Sequence, residues 1–223
     1  TYVMTWTGVC GGSKIILEHA NKLSNRGHKI TLISHDTRPN WFPLENEVQF
    51  IQVPWEEILC EYIPKETDVI VATYWREIYE CVEQKIAPVV YFEQGDFHLF
   101  DLKKLDKRTY DYINKQLKTI NFIYTVSSFA KKKLKEIYDV ESIVIPNAVD
   151  FAIYRKNDTL RNAMRKKYHI ADDTILLGFC GRLCRQKNPE MLIDIIAELK
   201  NRSIYKLLIV GDGELQEEVM HHA

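Results

Sequence analysis

Short apolar runs alternate with helix-length amphipathic stretches along this sequence, and the alternation limits the folds that the chain can adopt. Runs such as VIVAT (residues 69–73) and KLLIVG (206–211) are apolar at successive positions, as expected for strands buried on both faces. Strands that alternate with helices form a parallel sheet covered by helices on both sides. The sequence therefore predicts an α/β fold built on doubly wound parallel sheets.

The same pattern predicts the position of each element. Strands are predicted at residues 2–6, 29–34, 48–53, 68–73, 88–92, 121–126, 142–145, 174–179 and 205–210. Helices are predicted at residues 13–25, 75–85, 103–118, 128–138 and 188–202 and from 214 onward, with a shorter one at 160–168. Serine is favoured at helix N-caps, so we expect Ser13 to cap the first helix and Ser127 or Ser128 to cap the helix at 128–138.

A cationic loop joins one predicted strand to the next helix. The apolar run 175–179 is followed by a loop that contains Arg182 and Lys187, with Arg185 between them, and a helical pattern then starts at Asn188 and Pro189. Asn188 is expected as the N-cap and Pro189 as the first helical residue. A helix N-terminus offers unpaired N–H groups and a partial positive charge, so with the two cations this loop suits an anion such as a diphosphate. A basic loop that is merely solvated is the alternative.

The loop sequence GRLCRQKNPE (residues 181–190) resembles the signature of the glycosyl transferases group 1 family, retaining enzymes of the GT-B fold. In that family the Arg and Lys of the signature bind the diphosphate of a nucleotide-sugar donor, and Arg182 and Lys187 stand at the matching positions. Gln186 and Asn188 replace the more common Glu and Gly, which leaves both cations in place. The resemblance therefore implies that Arg182 and Lys187 are the catalytic residues.

The resemblance implies further donor-binding residues. In the family a VGDG turn borders the nucleotide pocket, and the same letters occur at residues 210–213. A tight turn without a binding role is the alternative. The implied donor-binding residues are Gly181, Asn188, Gly211 and Gly213.

On the acceptor side, the resemblance points to loops at strand ends in the first half of the chain. The implied acceptor-side residues are Gly11, Gly12, Tyr74, Trp75, Gln94, Asp96 and His98. Gln94 stands where many members have a His, and its amide can bond a sugar hydroxyl but cannot act as a base. For three of these residues two alternatives stay open. Trp75 presents its ring to a sugar or lies in the core, and Asp96 binds a hydroxyl or belongs to a turn. His98 replaces the missing His or is a loop residue without a catalytic part.

The glycines of the first loop argue against a dinucleotide site. Their spacing at residues 8–12 is G-x-x-G-G, whereas a nicotinamide-binding loop has G-x-G-x-x-G. Asp36 lies a little beyond the second predicted strand rather than at its end, where a ribose-binding acid is expected. A nicotinamide oxidoreductase is therefore disfavoured.

The sequence IPNAVD (residues 145–150) resembles the crossover between the two Rossmann-like domains of the GT-B fold, with Ala148 in place of the usual Gly. The implied organisation is an acceptor domain at 1–149, an interdomain linker at 150–173, and the start of a nucleotide-sugar donor domain at 174–223. The second domain would then be only partly present, because the family's E-x7-E segment would follow residue 223. The resemblance thus implies that these residues alone are inactive.

Composition excludes several classes of function. Thirty basic and 31 acidic residues give a net charge of −1, which argues against a general nucleic-acid binder. The five cysteines are scattered without zinc-site spacing, as in a cytoplasmic protein with reduced thiols and no metal. No signal peptide or apolar run of about 20 residues is present.

The lysines at 131–135 favour a solvated helix face, with peripheral contact at the inner face of a membrane as the alternative.

Together these features predict a glycosyltransferase. The resemblance implies transfer of a sugar from a nucleotide-diphosphate donor to the hydroxyl of a sugar, a lipid-linked molecule or another acceptor. It further implies retention of anomeric configuration, no cofactor or metal, and a role in the synthesis of a cell-surface polysaccharide or glycoconjugate. A noncatalytic acceptor-binding module or pseudo-enzyme is the alternative, which Gln94 favours.

Overall fold

The computed structural model describes residues 1–222, apart from the side chain of Lys104. The chain divides into two compact units, Thr1–Val149 and Asp150–Ala223. Each unit has its own parallel sheet, which confirms the predicted α/β class. Among the described residues, no helix has the length and apolarity that a membrane crossing requires.

The first unit is built on a seven-stranded parallel sheet with the strand order β3-β2-β1-β4-β5-β6-β7. Its strands are β1 Tyr2–Val3, β2 Thr31–Ser34, β3 Gln49–Gln52, β4 Ile70–Ala72, β5 Val89–Glu93, β6 Phe122–Thr125 and β7 Ile143–Val144. Each lies where a strand was predicted. The direction of the strand order changes between β1 and β4, and in sheets of this kind ligands bind outside the carboxyl ends of the strands at such a point.

Helices cover both faces of this sheet. They are α1 Gly11–Ser24, α2 Ile78–Glu83, α3 Phe97–Phe100, α4 Lys107–Lys118 and α5 Ser128–Tyr138, with 3-10 turns at Leu59–Tyr62, Trp75–Glu77 and Leu102–Lys104. The predicted cap of α1 is wrong: the helix begins two residues before Ser13, and the Cys10 thiol accepts the hydrogen bond from the Ser13 N–H at 3.3 Å. Ser127 is confirmed as the cap of α5, since its hydroxyl accepts from the Ala130 N–H at 3.1 Å.

Neighbouring residues of each central strand point to opposite faces, and both faces are buried. Tyr2, Leu32 and Phe92 pack under α1 in one apolar cluster. The residues beside them, Val3, Ile33 and Tyr91, pack against α2, α4 and α5 in the other cluster. This two-sided burial explains why the strands are apolar at successive positions.

The second unit contains a two-stranded parallel sheet and three helices within the described residues. Its elements are α6 Asp158–Lys167, β8 Ile175–Cys180, α7 Glu190–Glu198, β9 Tyr205–Val210 and α8 Gln216–His222. The two strands pair from Ile175↔Tyr205 to Cys180↔Val210. The short helix expected at 160–168 is found as α6, within the range predicted as a linker.

Candidate functional site

The cationic loop follows β8 in the second unit. Arg185–Lys187 form a 3-10 turn, and the side chains of Arg182, Lys187 and Asn188 are exposed. The structure thus leaves the two predicted cations accessible to a ligand. It also places them in one loop that leads directly into α7.

Asn188 does not cap α7, so this prediction is wrong. Its backbone is left-handed, with φ 46° and ψ 56°, and its N–H donates to the carbonyl oxygens of Cys184 and Arg185, each at 3.2 Å. Asn tolerates this conformation better than most residues, although Gly tolerates it best. The helix begins at Glu190 after Pro189 without a side-chain cap. Its first N–H groups therefore stay open to an anion.

The predicted glycines of the donor loop lie where two backbones meet. The Gly181 N–H donates to the Val210 carbonyl at 3.0 Å, and the Leu183 N–H donates to the Asp212 carbonyl at 2.7 Å. Gly211 and Gly213 have φ values of +148° and +149°, and a Cβ on either would overlap the facing backbone. For Gly211 the overlapping group is the carbonyl of Gly181. These glycines are required by the packing of the turn that supports the cationic loop.

In the first unit, two of the predicted acceptor-side residues come together. The Gln94 side-chain amide, just after β5, donates to the Gly12 carbonyl in the first turn of α1 at 3.3 Å. A Cβ on Gly12 would lie 3.4 Å from the same amide nitrogen. Gly11, the first residue of α1, is exposed. Gln94, Gly11 and Gly12 therefore line one region at the carboxyl end of the sheet.

Trp75 lies in the core, which was one of its two alternatives. It is only 3% exposed, and its indole N–H donates to Asp96 Oδ2 at 3.0 Å. Asp96 Oδ1 accepts from the Phe97 N–H at 2.7 Å and caps α3. Both carboxylate oxygens of Asp96 are thus engaged in local structure. Tyr74 is half-buried, with its ring 5.7 Å from that of the exposed Trp6.

His98 lies in a helix, so the expectation that it is a loop residue is wrong. It lies in α3, is completely buried, and places Nε2 3.1 Å from Glu93 Oε2. The turn at Gly95, with φ +92°, folds the chain back so that α3 packs into the core. A side chain at this depth cannot reach an acceptor. Its position leaves no support for the alternative in which His98 replaces the missing His.

Glu93 anchors this buried cluster. The Tyr91 hydroxyl donates to Oε2 at 2.7 Å, and the Gly95 N–H donates to Oε1 at 2.6 Å. Burial acts to raise the pKa of Glu93, but the hydrogen bonds from His98, Tyr91 and Gly95 outweigh it and hold the pKa below its usual value. Glu93 therefore stays ionised and fixes the loop that carries Gln94.

Glu77 is a second buried acid at the strand ends, and no sequence motif singled it out. Thr5 Oγ1, just after β1, donates to Oε1 at 2.5 Å, and the Tyr74 N–H, just after β4, donates to Oε2 at 3.2 Å. Burial raises the pKa of Glu77 to about 8 against the lowering effect of these hydrogen bonds. Glu77 thus links the loop after β1 to the loop after β4. These are the two strands between which the strand order changes direction.

Metal ligands are not grouped in the described part of the chain. No set of three or more His, Cys, Asp and Glu side chains there is arranged to hold an ion.

Comparisons with known proteins give matches to glycosyltransferases. Residues 161–223 match the family model described as Glycosyl transferases group 1. The chain is 29% identical over 75 residues to mannosylglucosylglycerate synthase of Thermotoga maritima, covering 34% of this chain and 18% of that protein. It is 28% identical over 103 residues to a GDP-mannose-dependent phosphatidylinositol dimannoside mannosyltransferase of Mycobacterium tuberculosis, covering 45% of this chain and 26% of the mannosyltransferase.

Solved structures match over almost the whole chain. Anabaena Alr3699/HepE in complex with UDP-glucose matches with a TM-score of 0.78 at 15% identity, covering 99% of this chain and 64% of that one. A glycosyltransferase from Rickettsia africae matches with a TM-score of 0.75 at 20% identity, covering 99% and 62%. The likeness shows that the fold is of the GT-B type. The chain spans less than two thirds of the length of either structure.

Proposed function

We propose that this chain, whose residues 161–223 match the glycosyl transferases group 1 family model, takes part in transferring a sugar from a nucleotide-diphosphate donor to an acceptor hydroxyl. The observation that carries the proposal is the cationic loop after β8. Arg182 and Lys187 are exposed there, beside the uncapped start of α7. A loop of this kind is suited to a diphosphate, because charged side chains and helix N–H groups both favour an anion.

The two cations give the loop a chemical role. When the bond between the sugar and the diphosphate breaks, negative charge grows on the leaving diphosphate. Arg182 and Lys187 would stabilise this charge more in the transition state than in the bound donor, which is the condition for catalysis. The packing of Gly211 and Gly213 under the loop would hold it in place during this step. We propose that the cations do this without a metal ion or cofactor.

The finer parts of the proposal concern the product. We propose retention of anomeric configuration and a role in the synthesis of a polysaccharide or glycoconjugate. NMR of the anomeric proton in the product tests retention. The α-configured product is expected from an α-linked donor, and a β-configured product would contradict it.

The site of action is proposed to be the cytoplasm. All five cysteines are free in the structure, in keeping with a reducing compartment. The lysines of α5 support a solvated helix face rather than contact with a membrane, because Lys132 and Lys133 pair with Glu136 and Lys135 pairs with Asp139. Such paired cations attract anionic lipids less than free ones.

Titration calorimetry of the chain with UDP, GDP and their sugars tests the donor loop. Arg182→Ala and Lys187→Ala should each weaken binding of the preferred nucleotide about 10- to 100-fold, since a hydrogen bond to a charged group contributes roughly 1.5–3 kcal/mol. Arg202→Ala is the matched control, because Arg202 is exposed in the same unit but follows α7. Unchanged affinity in both loop variants, or an equal loss in the control, would contradict the proposal.

The second candidate is a noncatalytic acceptor-binding module. Gln94 favours it, because an amide cannot act as a base and this one already donates to Gly12. The same titrations separate the two functions. A module of this kind would bind an acceptor but no nucleotide, and Arg182→Ala would have no effect.

A further inference from the structure

A polar cleft opens at the carboxyl ends of strands β1, β2 and β3 in the first unit, and among the described residues its lining does not include those that the sequence assigned to the acceptor. It has a volume of about 440 Å³, which lies within the usual range for small-molecule sites. Its walls are the loops after β1, β2 and β3, including Val9, His35, Asp36 and Trp55. These strands are adjacent in the sheet, so their loops meet at one edge.

An exposed aromatic platform forms one wall of this cleft. Trp55 is 62% exposed, and its ring stacks on the imidazole of His35 with the centroids 4.5 Å apart and an interplanar angle of 20°. The imidazole is fixed in turn, since Nδ1 lies 3.1 Å from the Val53 carbonyl and 3.0 Å from the Pro54 carbonyl. Carbonyl oxygens only accept, so Nδ1 carries the hydrogen and Nε2 is left as an acceptor in the neutral ring.

The rest of the lining includes polar groups that are held in place. Asp36 Oδ2 accepts from the Thr7 N–H at 2.8 Å, and the carboxylate keeps further acceptor capacity. The Trp41 indole N–H donates to the Thr7 carbonyl at 2.8 Å. The cleft therefore exists before any ligand arrives, and binding would cost little reorganisation.

The charges of the cleft argue against a phosphate ligand. The guanidinium of Arg38 donates to the backbone carbonyls of Leu44, Glu45 and Val48, so this cation supports its own loop. Asp36 contributes a negative charge to the lining. A neutral ligand that carries many hydroxyl groups and one apolar face fits such a surface, and a pyranose ring has both properties.

The distance along the sheet indicates which part of a substrate the cleft would hold. Trp55 follows β3, which the strand order places four strands away from β5, the strand that precedes Gln94. At about 4.8 Å per strand this separation is roughly 19 Å. A sugar on Trp55 would therefore not be the ring that lies beside Gln94.

We propose that this cleft binds a sugar ring of an oligosaccharide or glycoconjugate acceptor, stacked on Trp55 and remote from the reacting hydroxyl. The inference rests on the proposed glycosyltransferase function and adds that the acceptor already contains carbohydrate. Asp36 accepts hydrogen bonds from the hydroxyl groups of this ring, while the His35 imidazole supports the indole from its other face. The cleft thereby selects acceptors by a part of the molecule that does not react.

The test uses the 223-residue chain on an array of defined monosaccharides to hexasaccharides, followed by calorimetry with the saccharides that bind. An oligosaccharide should bind more tightly than its monosaccharides. Trp55→Ala should weaken binding about tenfold or more, and Trp55→Phe should retain most of it because it keeps an aromatic face. Phe122→Ala is the matched control: Phe122 is 59% exposed but begins β6, five strands away from β3 in the sheet.

Three results would overturn the proposal: no saccharide binding at millimolar concentration, equal binding by the chain and by Trp55→Ala, or loss of nucleotide binding in Trp55→Ala. Nucleotide binding that depends on Arg182 is measured separately. If nucleotides bind but saccharides do not, the cleft proposal fails while the proposed donor site stands. If saccharides bind through Trp55 but nucleotides do not, the acceptor cleft is supported and the donor function fails.

Discussion

Single residues in this protein show what a local pattern can reveal and what it cannot. Arg182 and Lys187 stand out in the sequence because a cationic loop between a strand and a helix is a local feature, and the structure leaves both exposed. Trp75 and His98 were placed near the acceptor from their position along the chain. Their burial depends on contacts with distant segments, which a local pattern does not contain.

Asn188 shows the same limit within one loop. The sequence favoured it as a helix cap, but the backbone turns at this residue into the left-handed region. This conformation accounts for the Gly that the resemblance expects at the same position. An N-cap residue and a left-handed turn residue differ in their backbone angles, and Asn is compatible with both conformations.

The buried acid Glu77 makes the stability of the first unit depend on pH. The folded protein holds the proton up to a pKa of about 8, whereas the usual value is 4.5. Its contribution to stability is therefore fully present below about pH 4.5 and is lost as the pH rises through 8. At 1.36 kcal/mol per unit of pKa, the loss is on the order of 5 kcal/mol.

Glu77→Gln should remove this dependence, because the amide can bond Thr5 and the Tyr74 N–H but does not titrate. Urea unfolding between pH 5 and pH 8.5 should show a smaller loss of stability with rising pH in the variant. Glu83→Gln, at an exposed position of α2, the helix that follows Glu77, should keep the slope of the unchanged protein. An identical slope in the Glu77 variant would refute the assignment.

At the scale of elements, the apolar pattern predicted all the observed strands but set the ends of several too wide. Strand β1 was expected at residues 2–6 and is observed as Tyr2–Val3, although the Met4 N–H still donates to the Ile33 carbonyl at 3.0 Å. Helix α4 begins at Lys107 rather than at 103, since Asp106 caps it through the Thr109 N–H. The helix Phe97–Phe100 was missed because one turn is too short to show a helical period.

The contact between the turns after β8 and β9 depends on a glycine. Gly211→Ala should destabilise the second unit by roughly 2 kcal/mol or more, because the new methyl group would meet the Gly181 carbonyl and the backbone has a positive φ. It should weaken nucleotide binding as well, since the same turn supports the cationic loop. Gly178→Ala is the control within β8, where an added Cβ meets nothing within 4 Å.

Circular dichroism melting and calorimetry with the preferred nucleotide measure both effects. The Gly178 variant should differ little from the unchanged protein. If the two alanine variants behave alike, the close packing at Gly211 is not what holds the loop.

At the scale of the whole molecule, the sequence predicted two Rossmann-like parts but not the order of the strands within either. Strand order depends on which distant segments pair, and the apolar runs are too similar to one another to specify their partners. The cleft at Trp55 was missed for the same reason. Its walls come from three loops that only the order β3-β2-β1 brings together.

The two units should differ in local stability. In the first unit, β5 lies between β4 and β6, with buried clusters on both faces of the sheet. In the second, β8 pairs with β9 alone among the described strands, and the buried apolar cluster consists of Leu183, Leu215 and Val219. A two-stranded sheet is marginal without extensive packing, so its amides should open more readily than those of a central strand.

Hydrogen exchange followed by mass spectrometry tests this difference directly. Peptides covering β5 should exchange only through global unfolding of the first unit, whereas peptides covering β8 and β9 should exchange at least tenfold faster, through opening that costs roughly 1.4 kcal/mol less. Addition of a nucleotide diphosphate that binds at Arg182 should slow exchange in β8, β9 and α7 and leave β5 unchanged, because a ligand stabilises the unit that holds it. Equal protection of both units without ligand would show that the small second sheet is stabilised by more than the contacts described. If the nucleotide slowed exchange in β5 alone, the donor would bind to the first unit.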